Sequence, residues 1–382
     1  MPESLLMQPA PVEFIPEDRG REPEAGTALC LSGGGYRAML FHVGVLWRLN
    51  ELGYLPKLDR ISSVSGGSIT AARLGLKWSN LGFDANGVGQ AFEAEIVTPV
   101  RALARQTLDV KSVLTGLVWF DTIGERVAKA YHKNLYGEAT LQDLPDTPRF
   151  VINATNLQSG ALWRFSKPYM ADWRVGMIRH PTLPLADAVA ASSAFPPVLS
   201  PYRLKLDPPS FEAGSGADLQ REPYTRRAIL SDGGVYDNLG LETAYKRYDT
   251  ILVSNAGKKM APEPRPAIDW VQQSIRVSSV INNQVRSLRK RSLIESYKNK
   301  SRKGAYWSIR ADIGDYPAPH ALVCPLDRTE ELANIPTRLK AMPEGLQARL
   351  INWGYAVTDA ALRTFVDKTL PPPAGFPYPG GV

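Results

Sequence analysis

Two kinds of segment alternate along the chain. Short apolar runs that end in small or acidic residues lie at 27–32 (TALCLS), 60–64 (RISSV), 227–232 (RAILSD) and 248–257 (YDTILVSNAG). Each predicts a buried strand, because a strand covered on both faces reads as continuous rather than alternating. The stretch 149–166 (RFVINATNLQSGALWRFS) predicts two strands joined at Gln158-Ser159-Gly160. Helical spacing fills the gaps: YRAMLFHVGVLWRLNELG stops at Gly53, and GGSITAARLGLKW starts on small residues. LPLADAVAASSAFPPVLSP is halted by Pro196 and Pro197. From 268 onward the pattern is helical. Alternating strands and helices predict an α/β fold around a mostly parallel central sheet.

Proline and acidic residues break up 1–26, predicting a mobile arm, and the proline-rich 369–382 predicts an irregular tail. No linker divides the middle, so 27–368 is expected to be one domain. No basic stretch precedes an apolar one at the start, and no window reaches the roughly 18 apolar residues of a membrane span. A cytoplasmic protein, peripheral at the inner membrane at most, is the expectation. The composition, 44% apolar and 22% charged, excludes wholesale disorder. Two cysteines make no disulfide framework, four scattered histidines make no metal cluster, and no cofactor is implied.

The net charge of +7 is uneven. Arg276–Arg310 holds ten Lys/Arg and one acid, Glu295, giving +9. Such a block is either a solvated face or an attraction to an anionic surface. The apolar piece around Trp119 and Phe120, within 107–124, reads either as core or as a lid over a site.

Three motifs carry chemistry. In SSVSGGSIT (62–70), Ser65 stands between a strand and a helix, where a sharp turn would project its hydroxyl. The pattern G-x-S-x-G is here S-x-S-x-G, with Ser63 in the first position. In SDGG, Asp232 closes a strand, the place where open α/β sheets gather ligand-facing groups. A carboxylate there could take a hydroxyl proton directly. A triad would instead need a histidine, and His320 is the one in suitable chain order. His42, His132 and His180 read as structural. The third motif is LSGGGYRA: Gly33, Gly34 and Gly35 open a helix. A dinucleotide site would need an acid at the end of the second strand, and RISSV ends in serine and valine.

Taken in order, GGGYR, SVSGG and DGG resemble the patatin-like phospholipase family over about 27–245, with INATNLQSG and AASSAFPPVLSP as intervening segments. The resemblance implies a three-layer α/β fold and a serine acyl hydrolase with a Ser65–Asp232 dyad. It also implies an oxyanion hole from Gly33, Gly34, Gly35 and Gly66, and a phospholipid or other acyl-ester substrate. Arg37 is then either a contact for the lipid phosphate or a surface ion pair. Ala38 stands where many members carry a further glycine. Partners expected are lipid and a membrane surface, with no nucleic acid. An antiphage effector switched by a small nucleotide also belongs to what the family allows. The rival expectations are a nucleotide-binding oxidoreductase and an inactive lipid-binding regulator.

Overall fold

The structure, a computed structural model, describes residues 23–108 and 123–382. Its strands are β1 (Glu24–Leu31), β2 (Arg60–Val64), β3 (Arg149–Asn156), β4 (Leu162–Phe165), β5 (Tyr169–Asp172), β6 (Gly176–Arg179), β7 (Tyr202–Lys205), β8 (Arg227–Asp232), β9 (Tyr248–Asn255) and β10 (Lys303–Ser308). The α-helices are α1 (Gly35–Glu51), α2 (Gly66–Leu76), α3 (Thr98–Ala104), α4 (Ile123–Tyr131), α5 (Leu185–Ser192), α6 (Gly234–Asp237), α7 (Glu242–Tyr245), α8 (Trp270–Lys298), α9 (Leu326–Asn334) and α10 (Glu344–Phe365).

All ten strands join one sheet, ordered β10-β9-β1-β2-β3-β4-β5-β6, with β8 on β3 and β7 on β8. The pairs from β10 to β3 are parallel. Beyond β3 the pairing turns antiparallel. The parallel block is thus the centre of the expected α/β sheet, and short hairpins extend one side of it.

Strand β1 shows why its sequence is apolar on both faces. Leu29 and Leu31 enter a large core with α1 and α10, while Ala28 and Cys30 meet Leu239, Ala244 and Leu293 on the opposite face. That gives helix, sheet and helix layers. Helix α1 is buried on nearly every side, because α10 covers the face that the sheet leaves open.

Several expectations shift. Strand β1 starts at Glu24, three residues inside the segment expected to be a mobile arm, where the Glu24 amide donates to the Arg247 carbonyl (2.6 Å). The rest of that arm, and Trp119 and Phe120 of the expected lid, lie outside the described residues. The helical pattern expected from 268 onward is interrupted by β10. Its alternation is visible, Ala305 and Trp307 buried around Tyr306, but the run is short and sits inside the basic block. Strands β5, β6 and β7, four residues each, also escaped the sequence pattern. The tail is irregular as expected, yet it folds back: Asn352 Nδ2 donates to the carbonyls of Tyr378 and Gly381, both at 2.8 Å.

Helices α1 and α10 meet backbone to backbone. A Cβ at Gly354 would stand 1.9 Å from the Phe41 carbonyl oxygen, and one at Gly44 1.9 Å from that of Ile351. Gly354→Ala is therefore expected to force the helices apart and lower stability by about 1–3 kcal/mol. Urea unfolding checks it, and an unchanged midpoint would show that the crossing tolerates a methyl group.

Candidate active site

One edge of β3 brings the two chemistry-bearing turns together. Residues 152 and 153 pair with β4 on one side and β2 on the other; residues 154 and 155 pair with β4 and β8. So β2 and β8 share an edge, running towards each other. Val64 lies opposite Asn153, and Asp232 lies opposite Ala154, the very next residue. Ser65, directly after Val64, therefore meets Asp232 end to end.

Ser65 leaves β2 with φ 51° and ψ −122°, a conformation that side chains with a Cβ rarely adopt. Holding it costs on the order of 1–3 kcal/mol, so the surroundings must impose it. They do so through Ser192, at the end of α5. The Ser65 amide donates to Ser192 Oγ (2.9 Å), Ser192 Oγ donates to the Asn153 carbonyl (2.7 Å), and the Gly233 amide donates to the Ser192 carbonyl (3.2 Å). The Asp232 amide donates to the Ala194 carbonyl (2.9 Å). Segment 192–194 thus ties both turns. The sequence marked it only as part of AASSAFPP; its helix ends at Ser192, before the prolines expected to stop it. Ser63, the departure from G-x-S-x-G, is fully buried with Ser68 Oγ 3.0 Å from its own hydroxyl.

Asp232 is 3% exposed. Burial pushes its carboxyl from 3.8 up to about 6, while the Gly234 amide (2.7 Å to Oδ1) and the Ser65 hydroxyl pull it back down. A carboxylate raised this far, with a hydroxyl beside it, is poised to accept a proton near neutral pH.

The glycine loop stands against the Ser65 turn. A Cβ at Gly66 would come 2.1 Å from the Gly35 carbonyl oxygen, and one at Gly35 2.5 Å from that of Arg338. Gly34 and Gly35 have φ 149° and 59°. Among the described residues the amides of Gly34, Gly35 and Gly66 have no hydrogen-bond partner, as first-turn helix amides usually lack one within the helix. Gly33 differs from its expected role: its amide already donates to the Asn238 carbonyl (3.1 Å). That amide is already engaged and is not free to meet an oxyanion.

Arg37 also differs. It is fully buried, neither on the lipid side nor in a surface ion pair. Its Nε donates to the Ala256 carbonyl (3.0 Å), Nη1 to the Ile335 carbonyl and Nη2 to Thr337 Oγ1 (3.1 Å). It ties the start of α1 to segment 335–338. Burial, then Arg286 and Arg310, lower its pKa to about 9, which leaves it charged at neutral pH.

No contact brings a histidine to the pair. His320 is exposed in a loop with φ 58°. His42 is buried in α1, its pKa lowered by burial to about 4. Its Nε2 lies 2.9 Å from the Ser32 carbonyl, which can only accept, so Nε2 carries the proton and Nδ1 accepts from Ser254 Oγ (3.1 Å). It braces the residue before the glycines.

Gly35 and Ser65 line a cavity of about 680 Å³. Phe195, Pro196, Pro197, Val198 and Leu199 give it an apolar lining, and the exposed cations Arg338 and Lys340 also border it.

The patatin-like phospholipase model matches residues 29–245, more than half of the chain. No curated protein matches the sequence. Among solved structures, human GIVD cytosolic phospholipase A2 superposes with a TM-score of 0.54 at 14% identity, over 89% of this chain and 58% of that one. The same enzyme in complex with methyl gamma-linolenyl fluorophosphonate gives 0.50 at 14% identity, over 87% and 57%. VipD from Legionella pneumophila gives 0.34 at 17% identity, over 88% and 66%. At these identities the likeness is one of fold, and the chain spans less than three-fifths of the human enzyme. The Ser65 turn, the glycine loop and the Asp232 turn all fall inside the matched span, and the chain belongs to the patatin-like phospholipase family.

Proposed function

We propose that the chain is a lipid acyl hydrolase of the phospholipase A type, with Ser65 as nucleophile and Asp232 as its base. The observation that carries this reading is the end-to-end meeting of β2 and β8, which sets a strained serine against a buried, proton-hungry carboxylate. Asp232 takes the Ser65 proton as Oγ attacks the ester carbonyl. Amides of Gly34, Gly35 and Gly66 receive the oxyanion, aided by the N-terminal dipole of α2. The leaving alcohol takes the proton from Asp232. Water then attacks the acyl-serine, passing a proton through Asp232 back to Ser65 as the fatty acid leaves.

The apolar lining suits an acyl chain, and Arg338 and Lys340 replace Arg37 as contacts for an anionic headgroup. Against a dinucleotide site, the glycine loop packs against the Ser65 turn and the end of β2 offers no acid for a ribose.

Contact with a bilayer would use α8. No helix among the described residues is long and apolar enough to cross a membrane. However, Trp270, Val277, Ile281 and Leu288, spaced 7, 4 and 7, share one face and are each at least half exposed beside basic side chains.

Ser65→Ala and Asp232→Ala are each expected to cut fatty-acid release from phospholipid vesicles by at least about 10³-fold, the scale on which serine hydrolases lose rate when a dyad or triad member goes. His320→Ala should leave it unchanged. Equal release by wild type and Ser65→Ala would sink the dyad.

The raised pKa has two consequences. Rate should fall below pH 6 as Asp232 takes up a proton. Ionising a carboxyl whose folded pKa exceeds its unfolded one destabilises the fold as pH rises through about 4 to 6. Asp232→Asn should thus be inactive yet more stable at pH 8, by up to about 3 kcal/mol, with the gain vanishing near pH 4. Paired thermal melts across pH decide it; a less stable variant at pH 8 would contradict the burial cost.

Ile281→Ser and Leu288→Ser should each weaken sedimentation with anionic vesicles about tenfold or more, while leaving hydrolysis of a soluble ester intact. Unchanged sedimentation would remove α8 from the membrane face.

A further inference from the structure

A second cavity, of about 1120 Å³, opens on the far side of β10. Seven Lys/Arg line it, against two carboxylates, Asp315 and Glu330. The basic block of the sequence therefore builds a concavity, not only a solvated helix face. Of its cations, Lys303 reaches Asp249 (3.6 Å) and Lys290 stands 4.8 Å over the Tyr306 ring. Lys298 and Lys300 are exposed. The walls between them are apolar and aromatic, from Ile294, Tyr297 and Tyr316 to Phe365.

The inner end is defined by Arg310. Its Nε is buried and has no hydrogen-bond partner among the described residues. Burial and then Arg310 lower the pKa of Arg286, and burial and then Arg286 and Arg310 lower that of Arg37. Arg286 spends Nη2 on the Lys258 carbonyl (2.9 Å) and Asn283 Oδ1 (3.1 Å), neither of them charged. Three guanidinium groups thus repel one another, and among the described residues none of the three has an ion pair to a carboxylate. Arg37 is fully buried and Arg286 and Arg310 are half-buried; such a cluster without counter-charge is costly, and an anion at Arg310 would relieve it.

The cavity is also joined to the Ser65 site by covalent continuity. Glu330, Ala333 and Asn334 of α9 form part of its wall. The next residues, Ile335 and Thr337, hold Arg37, and the Arg338 carbonyl accepts from the Tyr36 amide (3.0 Å). Thr337 to Lys340 then line the cavity above Ser65.

We propose that the second cavity binds a small phosphate-bearing anion, and that its binding steadies segment 335–340 over the Ser65 site. The source is either a free phosphate compound or an anionic lipid headgroup. The anion sits against Arg310, Lys290 and Lys298. By neutralising Arg310 it lowers the repulsion on Arg37, which then holds segment 335–338 and the glycine loop more firmly. The regulatory half rests on the acyl-hydrolase reading; the binding half does not.

Binding is tested on full-length Ser65→Ala protein, so that it does not depend on turnover. The probes are inorganic tripolyphosphate and phosphatidylcholine vesicles with and without phosphatidic acid, in low-salt buffer. The expected result is saturable one-to-one calorimetric binding of tripolyphosphate, or preference for the phosphatidic acid vesicles if the source is a headgroup. Arg310→Gln, and the exposed pair Lys290→Gln with Lys298→Gln, should each weaken it about tenfold or more, the worth of a charge-assisted hydrogen bond. Absence of binding by both probes, an unaltered affinity in the Lys290/Lys298 variant, or equal competition by duplex DNA at the same phosphate concentration overturns the site. For the coupling, wild type is assayed on a soluble neutral ester. Tripolyphosphate or the phosphatidic acid vesicles should raise kcat severalfold, and not in Arg310→Gln. Binding with an unchanged rate overturns the coupling alone, whereas binding by an enzyme with no esterase activity points to failure of the Ser65 reading.

Discussion

Everything at the site hangs on the way β2 and β8 share one edge of β3. The two strands point at each other and stop one β3 residue apart. Neither turn could place its own side chain so closely, because Ser65 and Asp232 are 167 positions apart in sequence. The sheet supplies the alignment, and Ser192 supplies the clasp, since its hydroxyl and its carbonyl each take an amide from one of the two turns. The strain at Ser65 is tolerable only because that clasp and the close-packed Gly66–Gly35 contact leave the backbone no other path.

A second dependence runs from the C-terminal half. The family match ends at 245, but Thr337 to Lys340 line the cavity beside Ser65, and segment 335–338 holds Arg37 and Tyr36. Arg37 has no carboxylate on it, only carbonyl and hydroxyl oxygens. A guanidinium satisfied in that way keeps its charge inside the protein while joining the start of α1 to two other stretches, Ala256 and 335–337. Its fork of five donors makes it suited to such a joint, which a lysine ammonium could not reproduce.

The sequence made the long central elements legible, and for a physical reason. Strands β1, β2, β8 and β9 are covered by neighbours, so their apolar runs are continuous, and the motifs sit where they end. The identity of the two chemical turns was readable from Ser65 and Asp232 with their glycines. What stayed hidden was pairing. Nothing local tells that the Gly33 amide is taken by Asn238, or that Arg37 points inward to Ile335 rather than outward to a lipid. Both depend on contacts more than 200 residues apart. The short strands β5, β6, β7 and β10 were hidden for another reason: four to six residues seldom show a period, and in β10 the flanking charges mask it.

Buried charge is the common currency of the two cavities. At Asp232 the fold buries a carboxyl served, among the described residues, by an amide and a hydroxyl, and the resulting raised pKa suits it to the proposed role of base. At Arg37, buried, and Arg286 and Arg310, half-buried, it accepts three cations with no acid among them in the described residues. The glycine loop lies between these two regions of opposite sign, contacting Ser65 on one side and Arg37 on the other. Positive charge behind the loop also favours an oxyanion in front of it, as it would any negative charge a few ångströms away in a poorly solvated interior. The arginine cluster therefore bears on the Ser65 site by two routes, through the chain that Arg37 holds and through the field it contributes.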